Sequence, residues 1–290
     1  MLHQLLGDYT RAQACQQQSA DLFSKIDRSR QARSLNALAY STRLNGQPAV
    51  AEEFARQALI AAQGEGQRVA ATYTVLGCLA YDRLDWSSAE KYWQRSLDLW
   101  RVEGDSAMVG MRLRDLGTAL YEQKAYAKAI AHLAEALTLS LADGDIWNVA
   151  ISRMNLGNVY LSSQQPETAL DLYRQAEVTF RSLHDYRHLA MCYNNQGLAC
   201  RELGQWSNAE AAYHAAVEQW QRVGETVLLA DTLIDLGDLL HCQEKRIQAL
   251  AMLDEALARL GDRDHPAYNF QREKALTQRA KICQEVDDSS

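Results

Sequence analysis

The chain has 290 residues, 47% of them hydrophobic and 23% charged, with a formal net charge of −7. That is enough apolar material for one or two globular domains, and the acidic balance without a Lys/Arg cluster argues against a duplex nucleic-acid binder. No run approaches the roughly 18–20 apolar residues of a membrane span, and Met1 to Arg11 lacks the charged start and apolar block of a signal peptide.

Proline is scarce, with 3 residues, and alanine, leucine, glutamine and arginine abound, a mix that loses little side-chain freedom in helices. At the N-terminus, Leu6-Gly7-Asp8-Tyr9 and Ala12 match Leu203-Gly204-Gln205-Trp206 and Ala209, so residues 8–27 are predicted as the second helix of a pair. Met1 to Leu6 is too short for its first helix. The expectation is a chain that starts inside a repeat, either as a fragment of a longer protein or with a short capping stub.

From there the chain repeats with a period of forty. Glycine recurs at 77, 117, 157, 197 and 237, alanine at 89, 129, 169, 209 and 249, and a large side chain at Trp93, Leu133, Tyr173, Tyr213 and Leu253. Ala37 and Ala49 extend the register backwards. Each period reads as two helices. Val109, Leu113, Leu116 and Leu120 form one apolar stripe, and Ala129, Leu133, Ala136 and Leu137 the next. A second glycine series, at 64, 104, 144 and 224 with His184 filling the gap, falls where a left-handed cap is wanted. Asp105, Asp145 and Asp185 follow as N-cap candidates, and Pro48, Pro166 and Pro266 stand at helix starts. A mid-helix glycine costs about 1 kcal/mol against alanine. Close approach of the paired helices, glycine against the small alanine of the second helix, is the expected compensation.

The predicted organisation is all-α, an α-solenoid of antiparallel helix pairs spanning 1–286. It comprises an incomplete repeat at 1–27, six full repeats at 28–67, 68–107, 108–147, 148–187, 188–227 and 228–264, and a polar capping helix at 265–286. Such a cap presents a wet outer face. A tail at 287–290 is expected to fray.

The stretch Leu76-Gly77, Tyr81, Trp86, Ala89, Trp93, Ser96-Leu97 resembles the tetratricopeptide repeat, and so does Leu116-Gly117, Tyr121, Tyr126, Ala129, Leu133, Ala136-Leu137. The family standard is 34 residues. The longer period is similar to that of bacterial signal-transduction ATPases of the STAND class, of regulators fused to DNA-binding domains, and of kinesin-light-chain-like and Pins-like adaptors. The resemblance implies a superhelix that binds a protein or peptide, without catalysis and without a cofactor.

The residues agree in offering no chemistry. There is no P-loop, dinucleotide fingerprint, zincin motif or nucleophile elbow. His184 and His188 stand four apart, a zinc-compatible spacing, but no third ligand is evident and a plain surface role is expected. The cysteines at 15, 78, 192, 200, 242 and 283 form no C-x-x-C pair and read as reduced, mostly buried thiols of a cytoplasmic protein. Trp86, Trp93, Trp206 and Tyr213 take repeat-core slots rather than a stacking platform. Trp100, Phe180 and Trp220 share a slot between repeats. Trp147 stands outside every series, and Arg153 takes an otherwise apolar or aromatic slot.

Stacked helix pairs place the first helix of each on a concave side. Carrying the family's ligand-contact positions onto this chain implies Arg114, Asp115, Tyr121, Asn155, Asn158, Asn194, Asn195 and Arg201 on or beside that surface. A carboxamide both donates and accepts, so paired asparagines can hold an extended peptide backbone without reading its sequence. Arg114 can pair a carboxylate. The family's peptide-carboxylate clamp wants a lysine where this chain has Met154, so that clamp is not expected. Asp231, Asp235 and Asp238 share one helix face and could receive a basic segment of a partner or simply solubilise the surface. Exposed repeat ends can also stack, which leaves self-association open. A sensor arm of a larger signalling ATPase or transcription regulator is the second functional expectation.

Overall fold

The computed structural model describes residues 2–24, 27–62 and 64–287. They form helices joined by short turns, and successive helices pack on one another within each of two compact units. The chain divides into two compact units, Met1–Asp145 and Ile146–Ser290.

The first unit contains α1 (Leu2–Phe23), α2 (Arg28–Leu44), α3 (Pro48–Ala62), α4 (Gly66–Asp82), α5 (Trp86–Glu103), α6 (Ser106–Glu122) and α7 (Tyr126–Ala142). α1 runs through Gly7, where the match to Leu203-Gly204 predicted a turn. The turn is set by its surroundings: in the later repeats a packed first helix precedes it. α2 and α3 depart from the forty-residue register by two positions. The turn at Asn45 and Gly46 (φ +73°) comes two residues late, and Pro48 then starts α3. The buried small residues are consequently Ala39 and Ala51, both fully covered, in place of the expected Ala37 and Ala49. A shorter α3, 15 residues against 18 in α5, restores the period.

The second unit contains α8 (Ile146–Ser162), α9 (Pro166–Ser182), α10 (Tyr186–Glu202), α11 (Trp206–Val223), α12 (Thr226–Cys242), α13 (Arg246–Leu260) and α14 (Pro266–Asp287). One continuous core runs through it, with Tyr173, Phe180, Tyr213, Trp220, Leu233 and Leu253 among its large members. α14 packs on α13 and α12. Asp287 ends α14, and the rest of the tail lies outside the described residues.

The mid-helix glycines are explained by a different partner from the one expected. A Cβ built on Gly197 would lie 2.6 Å from Tyr213 Cε1, and one on Gly157 2.5 Å from Tyr173 Cε1. Gly117 meets Leu133 in the same way, and Gly77 meets the Trp93 indole. The glycine therefore makes room for the large side chain sixteen residues on. The alanine series, fully buried at 89, 129, 169, 209 and 249, lets the backbones approach. Gly237 is the loosest, with Leu253 Cγ at 3.2 Å.

The second turns follow expectation: Gly64, Gly104, Gly144 and Gly224 have positive φ, and His184 takes the same conformation at φ +55°. Asp105 accepts from Met108 N and Asp185 from His188 N, as N-caps do. The first turns hold a second left-handed series that residue identity conceals. Leu84, Lys124, Gln164 and Glu244 have φ of 58–63°, in line with Gly46 and Gly204.

Candidate functional site

In the first unit the candidates lie on α6. Arg112, only 3% exposed, pairs with Asp115 Oδ2 at 2.9 Å and donates to Thr74 Oγ1. Thr74 Oγ1 lies 3.0 Å from Ser96 Oγ, which donates to the Ala70 carbonyl at 2.8 Å. Burial raises the Asp115 carboxyl above its usual value, and Arg112 opposes the rise. Asp115 therefore serves Arg112 before any ligand. Arg114 is half-buried, and burial lowers its proton affinity against the pull of Asp115. Its guanidinium forms no ion pair among the described residues. Tyr121 is half-buried, its ring centroid 6.2 Å from that of Tyr126.

The other eight candidates belong to the second unit. Asn155 and Asn158 lie on α8, Asn194, Asn195 and Arg201 on α10, and Asp231, Asp235 and Asp238 on α12, all half-buried. Asn158 Oδ1 accepts from Tyr173 Oη at 2.8 Å and from Asn195 Nδ2 at 2.9 Å. Asn194 Oδ1 accepts from Thr232 Oγ1 at 2.9 Å. Thr232 Oγ1 also receives the Trp220 indole N–H at 3.1 Å, which ties α11 to the next helix pair. The first helices α8, α10 and α12 are thus cross-linked by side chains, the α10–α12 link running through the buried Thr232. Asn158 Nδ2, Asn194 Nδ2 and Asn195 Oδ1 take no part in these bonds.

The acidic stripe has an occupant from its own chain. Lys274 Nζ lies 2.9 Å from Asp231 Oδ1 and 3.3 Å from Asp235 Oδ1, and Gln278 Nε2 donates to Asp238 Oδ2 at 2.7 Å. Burial raises the carboxyl pKa of Asp235 and of Asp238, with Lys274 the largest opposing influence on each. Lys274 is itself held protonated by Asp235 and Asp231 against its own desolvation. Near this stripe, Tyr213 is fully buried and its hydroxyl has no hydrogen-bond partner. Burial pushes its phenol pKa well up, and the charges that act on it are Arg201, Asp235 and Asp238.

Sequence reasoning missed Lys274, Gln278 and Arg112, and it placed Tyr213 in the core without its unpaired hydroxyl. Arg112 had a signal, because its slot is otherwise filled by Thr72, Ser152, Cys192 and Thr232. Trp147, which fitted no series, donates to the Asp185 carboxylate at 3.0 Å. One period on, Arg187 pairs with Glu225 at 3.0 Å in the same way. His188 is not a plain surface residue: it lies 2.8 Å from Asp185 Oδ2 and stacks on Phe180 at 5.1 Å. Among the described residues no group of three His, Cys, Asp or Glu could hold a metal, and no helix is long and apolar enough to cross a membrane. Trp93 and Tyr213 are buried, but Trp206 is 45% exposed because it opens α11 at the turn. Of the cysteines expected to be mostly buried, Cys192 and Cys200 are, whereas Cys78 and Cys283 are half-buried and Cys15 and Cys242 exposed.

Comparison with known proteins agrees with this architecture. The family model described as Tetratricopeptide repeat matches residues 68–142, 148–213 and 188–261. Regulatory protein AfsR of Streptomyces griseus is 27% identical over 172 residues, 59% of this chain and 16% of its own length. The crystal structure of a STAND protein with a tetratricopeptide repeat sensor, from Pyrococcus horikoshii, aligns over 92% of this chain and 39% of its own, at 17% identity and TM-score 0.64. The apo form of the quorum sensor NprR from B. thuringiensis aligns over 97% of this chain and 81% of its own, at 13% identity and TM-score 0.70. The two structures share the fold, and the chain spans about a sixth of AfsR. Helix pairs, the glycine–large-residue interlock and the matched segments together make this chain a member of the tetratricopeptide repeat family, a protein-binding repeat.

Proposed function

We propose that the chain is a non-catalytic scaffold that holds a peptide or partner protein on the first-helix face of its second unit. The observation that carries this reading is the Asn158–Asn195 hydrogen bond. It fixes two carboxamides on neighbouring helices and leaves an N–H donor and a carbonyl acceptor pointing away from that bond, the pair that an extended backbone requires. Rigid presentation lowers the ordering cost of binding. Arg201 and the aspartates of α12 add charge selection, and Arg114 and Tyr121 form a separate candidate surface in the first unit. The absence of a basic cluster favours protein over nucleic acid, and six free cysteines fit a cytoplasmic setting. Asn158→Ala combined with Asn194→Ala should weaken an identified partner at least about tenfold. Unchanged affinity by calorimetry would sink the groove reading.

A second reading is the sensor arm of a larger regulator, where ligand binding on the repeats is passed to an effector domain. The similarity to AfsR over 172 residues favours it. An in-frame nucleotide-binding domain encoded upstream of the repeats is the supporting result, and an in-frame stop codon there removes it.

A further inference from the structure

α14 is the least anchored helix of the second unit. Among its described side chains Ala275 and Ile282 are fully buried, whereas Phe270 is 65% and Leu276 49% exposed. α12 buries an apolar set that includes Leu229, Leu233, Ile234, Leu236 and Leu239. Beside that apolar contact, polar contacts hold α14: Lys274 on Asp231 and Asp235, Gln278 on Asp238, and Arg279 on Asp254 at 2.7 Å. Half-exposed pairs of this kind hold weakly, because water screens them and ordering two long side chains opposes them. The segment 261–265 that leads into α14 is exposed throughout and opens with Gly261 at φ +56°.

The self-contact also leaves the face incomplete. Tyr173 and Tyr213 occupy equivalent positions, and Tyr173 donates to the Asn158 side-chain oxygen. One period on, Leu198 stands where Asn158 would be, and the fully buried Tyr213 hydroxyl has no partner. α14 serves the three carboxylates of α12 but neither Tyr213 nor Arg201.

We propose that the Asp231–Asp235–Asp238 face of α12 is a docking site for a lysine-bearing helical segment of a partner protein, and that α14 is its tethered internal competitor. The inference rests on the reading that this face binds a partner. Lys274 and Gln278, four residues apart, show the mode: an ammonium shared by two carboxylates, and one turn along a carboxamide on the third. A true partner adds a carbonyl oxygen that accepts from Tyr213. Its apparent affinity is set by the fraction of molecules in which α14 has swung away about 261–265.

The test uses the full chain and, as probe, a fluorescent peptide of residues 264–285, the chain's own closing helix. Lys274→Glu with Gln278→Glu in the full chain repels α14 from the stripe. This variant should bind the peptide at least about tenfold tighter than the unaltered chain does. The same peptide carrying Lys274→Glu should bind neither. Equal affinity of the two chains, or indifference to the peptide's charge, overturns the proposal. Hydrogen exchange on the unaltered chain guards against a misfolded variant. The α14 amides should exchange at least about tenfold faster than those of α12. α14 amides as protected as those of α12 overturn the tethered competitor by themselves. The asparagine substitutions are read on a partner and this experiment on the chain's own helix, so either reading can fail while the other stands.

Discussion

The Tyr173 hydroxyl donates to Asn158 Oδ1 at 2.8 Å across a helix pair, while the Tyr213 hydroxyl, forty residues on, is buried without a partner. The same ring fills the same gap over a glycine in both repeats, so the two hydroxyls differ only in what they meet. Tyr173→Phe should cost about 1 kcal/mol, and Tyr213→Phe should be neutral or stabilising by up to about 1 kcal/mol, because it removes an unsatisfied buried group. Urea denaturation of the two variants checks the difference, and an equal loss in both would contradict it.

Gly197→Ala should destabilise by about 1–2 kcal/mol, since overpacking against a rigid ring outweighs the helix propensity gained. Gly237→Ala should lie within about 0.5 kcal/mol of neutral or stabilise. There the methyl meets the more flexible Leu253 at 3.2 Å. Thermal melts of both proteins rank the interlocks.

Lys124→Gly should stabilise by about 0.5–1 kcal/mol, although glycine loosens the unfolded chain. Lys124 is exposed at φ +58° and loses no packing. Gly204→Leu, at φ +68°, should destabilise by a similar amount. Chemical denaturation at fixed pH measures both.

Lys274→Met should cost about 1–2 kcal/mol at neutral pH, less than a fully buried pair because Lys274 and Asp231 are about a third exposed. Asp235 and Asp238 have raised folded-state pKa values. Their contribution is therefore most favourable below the unfolded carboxyl pKa and declines as pH rises through the folded one. Removing the ammonium accentuates that decline. The deficit of the variant should accordingly shrink as pH falls toward 4, which urea titrations at about pH 4.5 and 7 would register. In the unaltered chain, the raised Lys274 pKa contributes stability that persists through neutral pH and is lost as pH rises through the folded value.

What could be read from residues alone was whatever repeats in kind. The glycines at 77 to 237 and the caps at 104, 144 and 224 announce themselves because only small or turn-forming residues suit those positions. The left-handed first turns at Leu84, Lys124, Gln164 and Glu244 did not, since backbone conformation there is imposed by the packed helices on either side. The two-residue offset at Asn45–Gly46 was hidden by the compensating shortening of α3. On the candidate face, the positions of the asparagines followed from register. Their mutual bonds did not, because each bond joins residues one repeat apart. Lys274 and Gln278 escaped for a related reason: in a closing helix, polar residues read as a solvated surface.

Trp100 and Trp220 stand in equivalent slots of α5 and α11, one in each compact unit, and both are buried. Each indole is therefore a built-in optical reporter for its own unit. With the remaining tryptophans replaced, variants that keep one or the other would show by fluorescence whether the two halves melt together or in sequence. In a repeat array, that choice depends on how strongly neighbouring repeats are coupled. A biphasic curve seen by one indole and a single transition by the other would locate the weaker link along the chain.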